Sequence, residues 1–200
     1  MERTRRTRLT AGHRRETILE AATEVFAASG YRAGKVSDVA ARIGVTEPVI
    51  FQNFGSKSAL FAAVLERLAG DVRASLDGLA DHHDSVASLL THILKPGPDS
   101  HDAGSHRTLF ADAAALVADP EAGEAAARVA RVVAAHLADL VRRGQGDGSV
   151  RDDVNPEAAA WLLLSVLATR PLRAGALAGA RRLEPEVGGL ALGAILAPGR

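Results

Sequence analysis

Apolar positions recur every three to four residues along almost the whole chain, and no segment shows the period-two alternation of a half-buried strand. That pattern predicts an all-α fold. A first helix over residues 11–29 lines Ile18, Ala22, Val25 and Phe26 along one face, with Gly30 as its left-handed stop. A short second helix, residues 37–43, turns Val39, Ala40 and Ile43 inward and ends at Gly44, where glycine adopts positive φ without steric cost. The third helix opens at Thr46 as N-cap. It tolerates Pro48 in its first turn, where a missing N–H is harmless, and it buries Val45, Val49 or Ile50, and Phe54. Gly55 breaks the chain again, and Ser56 caps a fourth helix striped with Leu60, Phe61, Val64, Leu65 and Leu68.

Further on, turn formers crowd residues 95–105 and 144–156. Between them the pattern predicts helices over residues 105–118 and 120–143, the latter capped by Asp119 and stopped by Gly144. Asn155, Pro156 and Glu157 open another helix, in which Trp161, Leu162, Leu163, Leu164, Val166 and Leu167 leave almost no polar face. The last helix, residues 187–196, is similarly apolar. A surface helix of a monomer keeps a polar side, so these two helices are either central to one subunit or covered by a second copy of the chain. The Ala/Gly-rich stretch 173–182 reads as a linker or as a loose helix.

Composition adds a soluble globular class: 47% hydrophobic residues with both signs of charge. There is no cysteine, which excludes disulfides, thiolate metal ligands and a thiol nucleophile. The basic start of the chain leads into charged sequence, so no secretory signal is expected, and the apolar runs at 158–169 and 187–197 are too short to span a bilayer. A cytoplasmic protein is the expectation. The zero net charge hides an asymmetry, because residues 1–60 carry 10 Lys and Arg against 6 Asp and Glu, and residues 61–200 carry 14 against 18.

The positive end is also where two short helices meet at a Gly-Val turn and run into a helix opening with Ser56 and Lys57. A helix-turn-helix is built this way, with its second helix entering the major groove of DNA. The first turn of that helix would present Thr46, Glu47 and Pro48 to base edges, while Gln52 reaches a phosphate or a base. Glu47, an acid facing a polyanion, fits best as a cytosine amino acceptor and hence as a specificity residue. Lys57 and Lys35 stand at helix starts, where charge and helix dipole together favour phosphate, and Ser37 lies beside Lys35. Arg3, Arg5, Arg6 and Arg8 form a basic arm suited to phosphate or the minor groove.

On these residues the segment Val36, Asp38, Val39, Ala40, Gly44, Val45, Thr46, Ile50, Phe54, Lys57 and Leu60 resembles the DNA-binding segment of the TetR family of transcriptional regulators. The resemblance implies an N-terminal three-helix helix-turn-helix domain, residues 1–58, and a larger C-terminal helical domain, residues 59–200, that binds a small molecule. It also implies a homodimer formed through the last two long helices. Three positions depart from the family pattern: Lys35 replaces Thr, Phe51 replaces Tyr and Asn53 replaces His. Phe51 lacks the hydroxyl that by resemblance meets a phosphate, whereas Asn53 retains a donor and Lys35 adds a charge.

The expected function is a ligand-responsive dimeric regulator, a repressor released from a pseudo-palindromic duplex operator by a small molecule. His106, Phe110 and Trp161 are the candidate lining of the effector pocket. The alternative is a helical small-molecule or metal sensor whose operator binding is weak or lost. No enzyme, metal or cofactor is expected: His82 and His83 are adjacent and point apart, and His101 and His106 do not share a helical face. Neither a phosphate-binding glycine loop nor a G-x-S-x-G elbow occurs.

Overall fold

A computed structural model describes residues 11–95, 109, 112–113, 116–176 and 179–198. Arg3, Arg5, Arg6, Arg8, His101, His106 and Phe110 lie outside the described residues, as does most of the helix expected over 105–118. The described helices are α1 (Ala11–Ala33), α2 (Val36–Arg42), α3 (Glu47–Phe54), α4 (Lys57–Ala80) and α5 (Val86–Leu94), followed by α6 (Gly123–Gly146), α7 (Pro156–Ala168), α8 (Arg170–Ala176) and α9 (Ala180–Ile195). The fold is all-α. Among the described residues the β pairing is a single isolated antiparallel bridge between Val150 and Leu196. The chain divides into two compact units, and the break falls inside α4 between Val64 and Leu65.

In the first unit, α1 supplies the floor. Ile18, Ala22 and Phe26 are fully buried, as are Val39 of α2, Leu60 and Phe61 of α4, and Ile50 of α3 at 1% exposure. Phe26 meets Phe61 edge-on at 5.2 Å between ring centres, and Tyr31 packs on Phe61 at 4.8 Å, inside the range where aromatic pairs attract beyond their buried area. Gly30 has the expected positive φ of 72° but an extended ψ of 171°, so it kinks the chain and does not end it. One more helical turn follows, and the Gly34 N–H closes on the Gly30 carbonyl at 3.0 Å. Of the apolar residues offered for α3's inner side, Ile50 and Phe54 are buried, while Val45 and Val49 are half-buried.

In the second unit, α6 buries Ala126, Val129, Val133, Leu137, Leu140 and Val141 along one stripe against α7, which contributes Ala159, Ala160, Leu163 and Leu164. The α7 cap forms as expected, Asn155 Oδ1 accepting from Ala158 N–H at 2.9 Å. The ends of α6 do not fall where the sequence put them. Asp119 Oδ1 takes the N–H groups of Glu121 and Ala122 in a turn ahead of the helix, so α6 begins at Gly123. Gly144 is not a stop either: it remains helical, and glycine is needed there because Val150 and Val86 crowd the position, where a Cβ would lie 2.5 Å from Val150 Cγ2. The left-handed position is Gly148, φ 76°.

Helix α5 has an N-terminus capped largely from far along the chain. Val86 N–H donates to Asp147 Oδ2, Ala87 N–H to Ser149 Oγ, and Ser88 N–H to Ser85 Oγ, filling three donors that a helix start leaves open. The stretch 173–182 resolves into α8 and the start of α9, and α9 begins seven residues earlier than expected, carrying Pro185 inside it. Its early turns are held by Glu184, the one buried charged residue among those described. Arg170 Nε reaches that carboxylate at 3.1 Å and Arg173 Nε at 2.6 Å, while the same two guanidinium groups donate to the carbonyls of Leu94 and Val166. The hydrogen bond from Arg173, reinforced by both positive charges, holds the Glu184 carboxyl below the usual carboxylate range against the opposing effect of burial.

Candidate nucleic-acid interface

The turn between α2 and α3 follows from one glycine. Gly44 adopts φ 67°, its N–H donates to the Ala41 carbonyl at 3.3 Å, and Val45 N–H reaches back to the Ala40 carbonyl at 3.0 Å. That pair of bonds is a Schellman motif, which satisfies the last carbonyls of α2 and redirects the chain at once. Thr46 then takes the N-cap position in extended conformation, although its side chain makes no capping bond, and Pro48 occupies the first turn. The tip of α3 is therefore shaped by backbone geometry.

With Ile50 and Phe54 turned inward, the opposite side of α3 faces solvent. Thr46, Glu47, Pro48 and Gln52 are exposed, and Phe51 is 39% exposed. Lys35 is exposed at the N-cap of α2, and Ser37 is half-buried in its first turn. Four of the eight candidate contact residues thus lie together at α3, with Lys35 and Ser37 at the α2 start.

Asn53 and Lys57 are engaged within the protein. The Asn53 amide donates to the Val49 carbonyl one turn back at 2.7 Å. Lys57 Nζ donates to the Arg32 carbonyl at 3.2 Å and sits 4.9 Å above the Tyr31 ring, fastening the end of α1 to the start of α4. Ser56 caps α4 as expected, its Oγ accepting from Ala59 N–H at 3.0 Å. Arg15, which composition alone counted among the charges of the N-terminus, donates from Nη1 to the Asn53 carbonyl at 2.7 Å and covers the Phe54 ring at 4.1 Å. Sequence periodicity carries no signal for that contact, since the two residues lie 38 positions apart and are brought together only by the fold.

Trp161 does not line an interior pocket. α7 buries Ala159, Ala160, Leu163 and Leu164 and turns Trp161 outward, 46% exposed, over an open groove of about 240 Å³ floored by Ala134, Ala135 and Ala138. A second cleft, about 350 Å³, lies where His83, Asp84 and Ser85 approach Arg143 and Asp147. Burial raises the Asp147 carboxyl, but the hydrogen bonds from Ser149 and Val86 and the charge of Arg143 outweigh it and leave the group below its ordinary range. His82 Nδ1 is bonded to the Gly78 carbonyl and His83 Nδ1 to Ser88 Oγ. Neither cleft is a closed cavity, and no helix among the described residues is long and apolar enough to cross a membrane.

A sequence profile described as bacterial regulatory proteins of the tetR family matches residues 18–64, the segment that carries α2, α3 and their floor. The HTH-type transcriptional activator FasR of Mycolicibacterium smegmatis is 30% identical over 143 residues, which cover 70% of this chain and 64% of that protein, so the match spans under two thirds of the relative. The HTH-type transcriptional repressor Rv3405c of Mycobacterium tuberculosis is 35% identical over 77 residues, 38% of each chain. Among solved structures, a TetR-family transcriptional regulator from Cytophaga hutchinsonii superposes with a TM-score of 0.78 over 96% of this chain and all of that one, at 17% identity, a likeness of fold. The matched segment, the relatives and the all-helical architecture agree, and together they support the TetR family.

Proposed function

We propose that this chain regulates transcription by binding a pseudo-palindromic duplex operator as a homodimer, with α3 of each subunit in the major groove. The observation that carries the reading is the two-sidedness of α3: Ile50 and Phe54 anchor it, while Thr46, Glu47 and Pro48 at its tip and Gln52 further along its outer side are exposed. Glu47 is the residue that selects a base, and Gln52 contacts phosphate or a base edge. Lys35, Ser37 and the helix starts beside them supply phosphate contacts, and the arm of Arg3, Arg5, Arg6 and Arg8 adds attraction along the backbone.

Support for the dimer comes from the apolar side chains that α7 and α9 leave exposed, among them Trp161, Leu162, Leu183 and Leu190, the last at 78%. Two α3 helices on one side of a duplex must lie about 34–36 Å apart, so any effector that changes their separation changes affinity. Helix α4 belongs to both units and is the continuous element through which a small molecule bound in the second unit acts on the first. Coupling of about 1–3 kcal/mol suppresses DNA binding roughly 5- to 150-fold. Repression relieved by the effector is the mode we favour, working in the cytoplasm.

Selection of bound duplexes from a random pool by the full chain tests the reading. A recovered site with two inverted half-sites supports it, and recovery of no sequence preference refutes it. If each subunit neutralises about four phosphates, log affinity falls against log salt with a slope of about −7. A sensor with weak operator binding is the second reading, favoured by the Asn53 amide being committed to Val49 and by the missing hydroxyl at Phe51. A gel shift on the DNA flanking its own gene separates the two.

A further inference from the structure

We propose that Arg15 is a positioning residue for α3: it fixes the base of the helix whose tip reads DNA, and does so without touching DNA. The inference rests on the reading of α3 as the DNA-contacting helix. Asn53 and Phe54 are the last two residues of α3, and Gly55, at φ 80°, turns the chain out of the helical path. The last carbonyls of a helix have no amide ahead of them, and they carry the negative end of its dipole. Arg15 supplies both missing elements. Its Nη1 donates to the Asn53 carbonyl at 2.7 Å and its guanidinium lies 4.1 Å over the Phe54 ring.

The placement of Arg15 makes it effective. It stands on α1 one turn before Ile18, which is completely buried, so its backbone is fixed where its side chain is not. Helix α3 has eight residues and is about 12 Å long at 1.5 Å per residue. Seated by two buried side chains near its middle and far end, so short a rod tilts when its base loosens, and Glu47 at the tip moves with it. Arg15 also precedes the segment matched by the family profile, which begins at residue 18. One guanidinium N–H is committed to the carbonyl and one face to the ring, which leaves this group oriented toward α3 and not outward as a free cation.

The test uses the full chain, the duplex that the wild-type protein selects from a random pool, and two variants, Arg15→Gln and Arg15→Lys. In the free protein, amide hydrogen exchange at Phe54 and Gly55 accelerates in Arg15→Gln and less in Arg15→Lys, which keeps the charge but loses the planar stack. On DNA, Arg15→Gln weakens affinity roughly two- to fivefold. The salt slope stays unchanged, and discrimination against duplexes altered at the base read by Glu47 narrows. A slope shallower by about one per subunit makes Arg15 a phosphate contact and overturns the proposal. Unchanged exchange at Phe54 and Gly55 also overturns it. A wild-type protein that selects no duplex retires the DNA reading, while the exchange measurement still decides on its own whether Arg15 holds α3.

Discussion

The strongest consequence of the geometry is that stability and sequence readout reside on opposite sides of one eight-residue helix. Ile50→Ala removes three buried carbons from a side chain 1% exposed, so the cost combines lost transfer energy with the cavity left behind, about 2–5 kcal/mol. For a unit of this size each kcal/mol lowers the melting point about 4–8 °C, so a fall on the order of 10 °C or more is expected. Glu47→Ala leaves a solvent-facing position and forfeits at most the favourable placement of an acid at a helix N-terminus, about 0.3–1 kcal/mol. Its effect belongs instead to DNA: the selected duplex changes at one base per half-site while affinity for unrelated duplexes holds. Far-UV circular dichroism melts and fluorescence anisotropy on the selected duplex read the two quantities separately. If Ile50→Ala melts within 2 °C of the parent, α3 is not seated as described. If Glu47→Ala selects the same duplex as the parent, the assignment of base readout is wrong.

Lys57→Ala breaks the contacts to the Arg32 carbonyl and the Tyr31 ring and lowers stability by about 1 kcal/mol or less, measurable by urea titration, while the loss of its positive charge weakens binding to all duplexes alike, measurable by anisotropy. Glu184→Gln removes the negative partner of two largely buried arginines and costs about 3–5 kcal/mol in urea unfolding at pH 7. Because the folded carboxyl titrates below its unfolded value, its contribution is present at neutral pH and is lost as the pH falls through the folded value, so the gap between parent and Glu184→Gln closes on acidification. Gly144→Ala drives a Cβ to 2.5 Å from Val150 Cγ2 and destabilises by about 1–3 kcal/mol, and Val150→Ala in the same chain restores part of that loss in a double-mutant cycle.

What could be read in the sequence was local. Gly44, Pro48, Ser56 and Asn155 act through neighbours within four residues, and each does in the fold what its chemistry forecasts. The apolar stripes of α1 and α4 were legible for the same reason, because a 3.6-residue period encodes which face is buried. Gly144 misled because a glycine near a helix end signals either a left-handed stop or a close approach, and Val86 and Val150, which decide the matter, are placed only by the fold. Glu184 and Arg15 lay beyond reach in a stricter sense. Their partners are drawn from other helices, Arg170 lying 14 residues from Glu184 and Asn53 lying 38 from Arg15, and no spacing rule connects them. Lys57 was read as a cation at a helix start, which it is, but its side chain spans back to α1.

That division bears on how an interface of this kind works. A helix of eight residues is too short to hold itself together in water, since isolated helices below about 12–15 residues are marginal. Helix α3 therefore owes its form to what surrounds it: the Schellman turn at Gly44, two buried side chains, the extended cap at Thr46 and the cation at its base. None of these supports uses Glu47 or Gln52, and Pro48 and Thr46 contribute through backbone conformation alone. Substitutions at Glu47 and Gln52 thus alter what the exposed side of the helix presents to a duplex while every anchor stays in place. A short borrowed helix separates the two tasks more cleanly than a long one would, because a long helix stabilises itself through the same surface residues that would have to change with each new operator.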